Sequence, residues 1–304
     1  MAFRFKLSEK LGDGVRRIAT EQLAAAERQL AAGEDPVAAV HDARKALKRV
    51  RALLRLVRPG LPDAVFAKEN ARLRDAARLL SPVRDLDVLA SALTLAVTAA
   101  PKLDASLIPE IEKAIAAARA AEHAAAGRSG APDAIKAIRG SRRALCRARL
   151  DSDALDVVLD GLARSYRNFR EAFDEAYAEP GDEAFHELRK EAQLHWRHML
   201  LLSRAWPDLA KARSNAARAI SDRLGAEQDL ALLARFVATT EAMPGARRSR
   251  VDLVRAIERQ RRALRAEARP LGERLLAESP KRLCRMLAVS WRAAVAIKTG
   301  EAGE

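Results

Sequence analysis

His41-Asp-Ala-Arg44-Lys45-Ala-Leu-Lys48-Arg49-Val-Arg51-Ala-Leu-Leu-Arg55-Leu-Val-Arg58 contains neither glycine nor proline, and Pro59-Gly60 closes it. The pattern predicts a helix that begins near Pro36, a residue suited to a first helical turn, and runs to Arg58. At 3.6 residues per turn, Ala43, Leu47, Val50, Leu54 and Val57 share one face, an ordinary core stripe. The adjoining face carries His41, Arg44, Lys48, Arg51, Arg55 and Arg58 every three or four positions, flanked by Lys45 and Arg49, and only Asp42 opposes them. Like charges at these spacings repel by about 0.2–0.5 kcal/mol per pair. A solvated basic face is the bland reading. A polyanion lying along the row is the sharper one, because arginine dominates and grips phosphate or carboxylate with two parallel N–H donors.

The bulk composition agrees with a folded, basic protein. The 304 residues are 49% hydrophobic and 32% charged, enough apolar residues for one large or two smaller cores and too many for a disordered chain. Alanine, leucine, arginine and glutamate favour helix. Lys+Arg number 55 against 41 Asp+Glu, a formal charge of +14, which points to nucleic acid, polyphosphate or an acidic membrane surface as partner. Cys146 and Cys284 stand far apart with no CxxC, and are expected to be small buried residues in a reducing, cytoplasmic compartment. The N-terminus lacks the apolar run of a signal peptide. The most apolar stretch, Val88 to Ala100, is too short to cross a membrane, so no membrane partner is expected.

Periodicity and the Gly/Pro breaks predict helices over 8–32, 36–58, 63–80, 83–99, 110–126, 133–149, 153–178, 185–207, 208–224, 226–241, 247–277 and 280–297, with a flexible tail at 298–304. Nothing alternates at period two for long enough to make a strand. The expected fold class is all-α.

The opening stretch returns. His41-Asp-Ala-Arg44-Lys45 is matched by His186-Glu-Leu-Arg189-Lys190, each followed by a helix of similar length and then a proline. Asp85-Leu86-Asp87-Val88-Leu89 is matched, at nearly the same interval, by Asp229-Leu230-Ala231-Leu232-Leu233. Chance is a poor account of two motifs repeating in the same order. The repeat is too long for a solenoid unit and suits a duplicated bundle of about four helices, divided here into 8–126 and 133–297 with its connecting helices.

These motifs resemble the CHAD family, the conserved-histidine α-helical domain. The resemblance rests on His41-x-x-Arg44-x-x-x-Lys48-Arg49-x-Arg51, on Arg84-Asp85-Leu86-Asp87-Val88-Leu89, and on Phe185 to Lys190 followed by His195-Trp196 and Trp206-Pro207. The stretch from Pro280-Lys281-Arg282 to Trp291 adds to it, so the likeness covers nearly the whole chain as a single domain, 1–304. It implies two pseudo-symmetric antiparallel four-helix bundles with a basic groove or channel between them. It also implies non-catalytic binding of inorganic polyphosphate and a place in the cytoplasm at polyphosphate granules. The second half departs from the first: Gln193 and Leu194 stand where Lys48 and Arg49 stand.

The residues expected to bind are His41, Arg44, Lys45, Lys48, Arg49, Arg51 and Arg55 with His186, Arg189, Lys190 and Arg197. Arg72, Arg78, Arg139, Arg143, Arg218 and Arg282 form a second tier. Polyphosphate has no bases to stack, which fits an aromatic content of only 4%; single-stranded nucleic acid, the competing polyanion, would favour aromatic residues among the basic ones. A negative polymer would favour the protonated form of His41 and His186. His186, His195 and His198 lack the HExxH spacing of a zinc site, and no Gly-rich phosphate loop, dinucleotide fingerprint or nucleophile elbow is present, so no metal and no cofactor is expected. Asp85, Asp87 and Asp229 could hold a divalent cation in a phosphohydrolase, but helix capping or ion pairing with Arg84 explains them more simply.

Overall fold

Asp35 starts the helix that carries the opening stretch. Its carboxylate accepts hydrogen bonds from the backbone N–H groups of Val37 and Ala38 at 3.1 and 3.0 Å, and Pro36 occupies the first turn, where its missing N–H costs nothing. In the computed structural model, which describes residues 3–32, 35–80, 84–100, 106–125, 130–239 and 247–300, every regular element is helical. They are α1 (Leu11–Ala32), α2 (Pro36–Leu56), α3 (Asp63–Leu79), α4 (Arg84–Thr98), α5 (Leu107–Ala125), α6 (Ala131–Leu145), α7 (Leu155–Ala178), α8 (Asp182–Leu201), α9 (Pro207–Thr239), α10 (Arg247–Leu275) and α11 (Pro280–Thr299). A short 3-10 turn, Arg58–Gly60, follows α2.

Three expectations need correction. The helices read at 208–224 and 226–241 are one, α9, which passes straight through Gly225. This glycine makes room rather than a break: a Cβ there would lie 2.9 Å from Nη2 of Arg189. The tail starts later than 298, because α11 continues to Thr299 and ends on Gly300, whose φ of +80° is the left-handed cap that glycine adopts without strain; residues 301–304 lie outside the described residues. The third correction concerns the division of the halves. Helices α1, α2, α3 and α6 pack in a ring, while α8 lies between α7 and α9, α10 on α9, and α11 on α7. Sequence order places residues 133–149 in the second half, yet α6 buries Ala134, Ile138 and Leu145 with the first group. In exchange α4 packs on α9, and Leu89, Leu93 and Ala96 join Leu230, Leu233 and Val237 in a second, smaller core.

The larger core joins the two groups where α2 meets α7 and α8. His198 of α8 is buried there. Its Nε2 lies 3.0 Å from the Ala52 carbonyl of α2 and its Nδ1 lies 3.0 Å from the Ser165 hydroxyl of α7. A carbonyl only accepts, so Nε2 carries the proton and Nδ1 accepts from Ser165. Burial pushes this imidazole down to about 3, keeping it neutral. His195, one turn earlier, is also buried, between the rings of Tyr166 and Phe169 at centroid distances of 5.3 and 5.7 Å, and neither ring nitrogen has a hydrogen-bond partner among the described residues. A buried polar group left unpaired costs about 1–3 kcal/mol. His195→Leu, which roughly keeps the volume, should therefore raise stability by about 1 kcal/mol or more, read from denaturant midpoints at pH 7.5. A loss of stability would show that the imidazole has a partner.

Candidate anion-binding groove

The two copies of the repeat lie on α2 and α8, which pack against each other. At about 100° per residue, Arg44, Lys48, Arg51 and Arg55 fall within about 60° of one another on α2, whereas Lys45 and Arg49 point well to one side. This angular spread decides which cations reach the space between the helices.

That space is a groove of two joined clefts. The larger, about 530 Å³, is lined by Arg44 and Lys48 of α2, His186, Arg189, Lys190 and Gln193 of α8, Gln228, Asp229 and Arg235 of α9, and Val88 of α4. The smaller, about 130 Å³, is lined by Lys48, Arg51 and Arg55 of α2 and Lys190, Gln193 and Arg197 of α8, over the apolar Ala52 and Leu194. Lys48, Lys190 and Gln193 belong to both and form the neck. Against the lysines and arginines stand, among the described residues, three carboxylates in the larger cleft, Asp182, Glu183 and Asp229, and Asp182 is already engaged by Arg261 and Arg265.

Several of the arginine heads are oriented by neutral acceptors. Arg44 Nη1 donates to the Ala77 carbonyl of α3 at 2.9 Å, and Arg51 Nε donates to Asn70 Oδ1 at 3.0 Å. Arg189 Nη1 donates to Gln228 Oε1 at 2.6 Å, and Arg197 Nη1 to the Gln193 carbonyl at 2.6 Å while stacking over Trp196. The crowding shows in the electrostatics. Burial, then the charges of Arg55, Arg74 and Arg78, push Arg51 down to about 10. Burial and Arg49 push Arg197 down to about 10. Both remain cationic at neutral pH, in a field that an anion would relieve.

Eight of the eleven expected binding residues are thus brought together: Arg44, Lys48, Arg51, Arg55, His186, Arg189, Lys190 and Arg197. The other three are not. His41 and Lys45 are exposed and line neither cleft. Arg49 turns to α1, donating to Gln22 Oε1 at 3.1 Å and lying over the Phe3 ring. None of the second tier lines the groove. Arg72 pairs with buried Glu69 at 2.8 Å, Arg78 with Asp75 at 3.6 Å, and Arg139 with Glu27 at 2.6 Å. Arg143 is exposed on α6 and Arg282 in the first turn of α11. Arg218 lies over Trp196 and pairs with Asp222 at 3.6 Å. Sequence reasoning missed Gln228 and Arg235. Their signal was the second repeated motif, since both flank Asp229.

The other candidate chemistries are placed as follows. Asp85 and Asp87 fall in the first turn of α4, and their side chains lie outside the described residues. Among the described residues no three His, Cys, Asp or Glu side chains gather as a metal site. The expected burial of both cysteines is half right. Cys146 is exposed at the end of α6, whereas Cys284 is half-buried, donates to the Leu159 carbonyl, and is pushed up to about 11 by burial. No helix among the described residues is long and apolar enough to cross a membrane.

Fold and groove together define an all-helical protein with a cation-lined cleft between repeated helices. The CHAD domain family model matches residues 16–238, and the chain belongs to that family. Among solved structures it is similar to PptA from Streptomyces chartreusis, at 17% identity and a TM-score of 0.64, over 89% of this chain and all of that one. It is also similar to the CHAD domain from the plant Ricinus communis, at 15% identity and a TM-score of 0.53, over 95% of each chain. These likenesses show a shared fold. No curated protein sequence matches the chain.

Proposed function

We propose that the groove binds inorganic polyphosphate and that the protein is a non-catalytic binding module. One observation carries this reading: among the described residues, eight lysine and arginine side chains and no Phe, Tyr or Trp line two joined clefts. A polymer of phosphates offers dense charge and no bases, and it needs only spaced cations. Single-stranded nucleic acid is held largely by stacking on aromatic rings, and the described residues of this groove offer none. Polyphosphate is also the ligand implied by the family resemblance. Binding it would bring the protein to polyphosphate granules.

The test is binding to long-chain polyphosphate at physiological salt, with duplex DNA, RNA and ATP as competitors. Nucleic acid in excess should fail to displace the polymer, and the polymer should survive incubation with Mg²⁺ without releasing phosphate. Lys48→Ala/Lys190→Ala removes the two cations common to both clefts. Each charged hydrogen bond contributes about 1.5–3 kcal/mol, so the double variant should bind at least about a hundredfold more weakly, with unchanged helicity and a shallower salt dependence. Equal or better binding of DNA or RNA would make the groove a general polyanion surface and overturn the assignment. Cation-dependent phosphate release would overturn the non-catalytic reading.

A further inference from the structure

A carboxylate stands behind the arginines of the smaller cleft. Glu191 of α8 is buried, with its side chain only 5% exposed and Oε1 3.8 Å from Nη1 of Arg55. Its Oε2 is buried with no hydrogen-bond donor among the described residues. Arg55 itself lines the cleft. The guanidinium therefore serves two masters, the cleft on one side and a buried carboxylate on the other. Its neighbours Arg51 and Arg197 are held instead by the neutral oxygens of Asn70 and Gln193.

A buried carboxylate is tolerated in its ionised form only while a cation compensates it. Here the compensation is a single long contact on one oxygen. A phosphate entering the smaller cleft engages Arg55 and adds negative charge close to Glu191. Both changes disfavour the carboxylate.

We propose that Glu191 is an internal competitor for Arg55, and that polyphosphate binding is coupled to uptake of one proton from solvent by its carboxylate, which becomes a neutral carboxyl. This rests on the polyphosphate reading of the groove. Burial already holds the carboxyl up at about 7 against the pull of Arg55, with Glu187 adding to the push and Lys190 opposing it. Near-neutral pH thus falls where an added phosphate changes its ionisation. Arg55 is the charged group that faces it from α2, and Glu187 and Lys190 face it from its own helix. Among the described residues, α7 and α9 present no charged group that acts on it. Arg55 also acts on His198, which burial keeps neutral.

Affinity should then fall as pH rises above about 7, approaching tenfold per unit if one proton is taken up. Glu191→Gln keeps the shape, removes the proton and the competitor, and should bind several-fold more tightly at pH 8 with a flatter pH profile. Calorimetric titration with long-chain polyphosphate in two buffers of different ionisation enthalpy counts protons directly. It is done in a His186→Gln background, so that the histidine lining the larger cleft contributes nothing to the proton count. The expected result is net uptake at pH 7.5 that disappears when Glu191→Gln is added. An unchanged proton count, or weaker binding by Glu191→Gln, would overturn the coupling while leaving polyphosphate binding intact. Failure of the unaltered protein to bind polyphosphate at any pH would overturn both. Carboxyl NMR of the unaltered protein gives a readout that needs no Glu191 variant: a buried glutamate titrating near neutrality must move to higher pH when polyphosphate is added, and one that stays put overturns the coupling.

Discussion

Gly161→Ala will destabilise the protein by more than about 3 kcal/mol, although alanine in a helix interior normally gains about 1 kcal/mol over glycine. Gly161 lies where α7 crosses the end of α2. A Cβ at this position would sit 1.8 Å from the Leu56 carbonyl oxygen and 2.7 Å from its carbon, both backbone atoms. Leu56 cannot retreat easily. It is fully buried, the 3-10 turn after it is pinned by the Asp151 N–H on the Gly60 carbonyl, and Gly60 itself rests against Val157 of α7. Moving the helices apart would open a gap beside Leu53 and Leu162, both completely buried. Gly140→Ala is the control. Its added Cβ would meet only the end of the Arg72 side chain at 3.4 Å, so it should keep the usual gain, a stabilisation of up to about 1 kcal/mol. Equilibrium unfolding of both variants decides the matter, and a Gly161→Ala protein as stable as the parent would mean that α2 and α7 do not approach this closely.

Acid should have the second large effect. His198 takes a proton near pH 6.5 when unfolded but only near 3 when folded, and burial holds folded His195 well below the ordinary value too. Between those limits the unfolded chain binds more protons, so stability is full above pH 6.5 and falls as pH drops, by about 1.4 kcal/mol per unit for each group. Glu191 acts in the opposite direction. Its folded carboxyl keeps its proton up to about 7 whereas the unfolded one releases it above about 4.5, so between those values acidification favours the folded state. Two groups against one leave a net loss of about 3 kcal/mol from pH 6.5 to 4.5, and a steeper fall below. Urea unfolding at pH 7.5, 5.5 and 4.5 measures it, and Glu191→Gln should roughly double the slope in that window. A flat profile would mean that the two imidazoles are not held neutral in the core.

Much of this molecule could be read from its sequence, and the parts that could not share a cause. Helix positions followed from periodicity and from breaks such as Pro59-Gly60. The two copies of the repeat lie on α2 and α8, whose side chains line the groove. Misreadings arose where a residue's role depends on a distant partner. Gly225 looked like a terminus because the guanidinium it accommodates lies on another helix. Helix α6 looked like part of the second half because sequence order does not reveal that α4 and α6 pack with opposite groups. Arg49 and Arg51 are two residues apart and equally basic, yet one faces α1 and the other the smaller cleft. The step of about 100° per residue separates them, but choosing which side faces the groove requires knowing where α1 and α8 sit.

Helix α9 has 33 residues, so at about 1.5 Å per residue it is a beam roughly 50 Å long. Ala217, Ile220 and Leu224 clamp one part of it in the larger core, and Leu230, Leu233 and Val237 clamp another in the smaller. Gln228 and Asp229 project from between those anchored stretches, and Arg235 from within the second. A wall built this way does not wait for its ligand to give it shape. The ordering entropy that a loop of the same residues would lose on binding was already lost when the chain folded, which leaves side-chain rotamers, at about 0.5–1.5 kcal/mol each, as the main remaining ordering cost on this side of the groove.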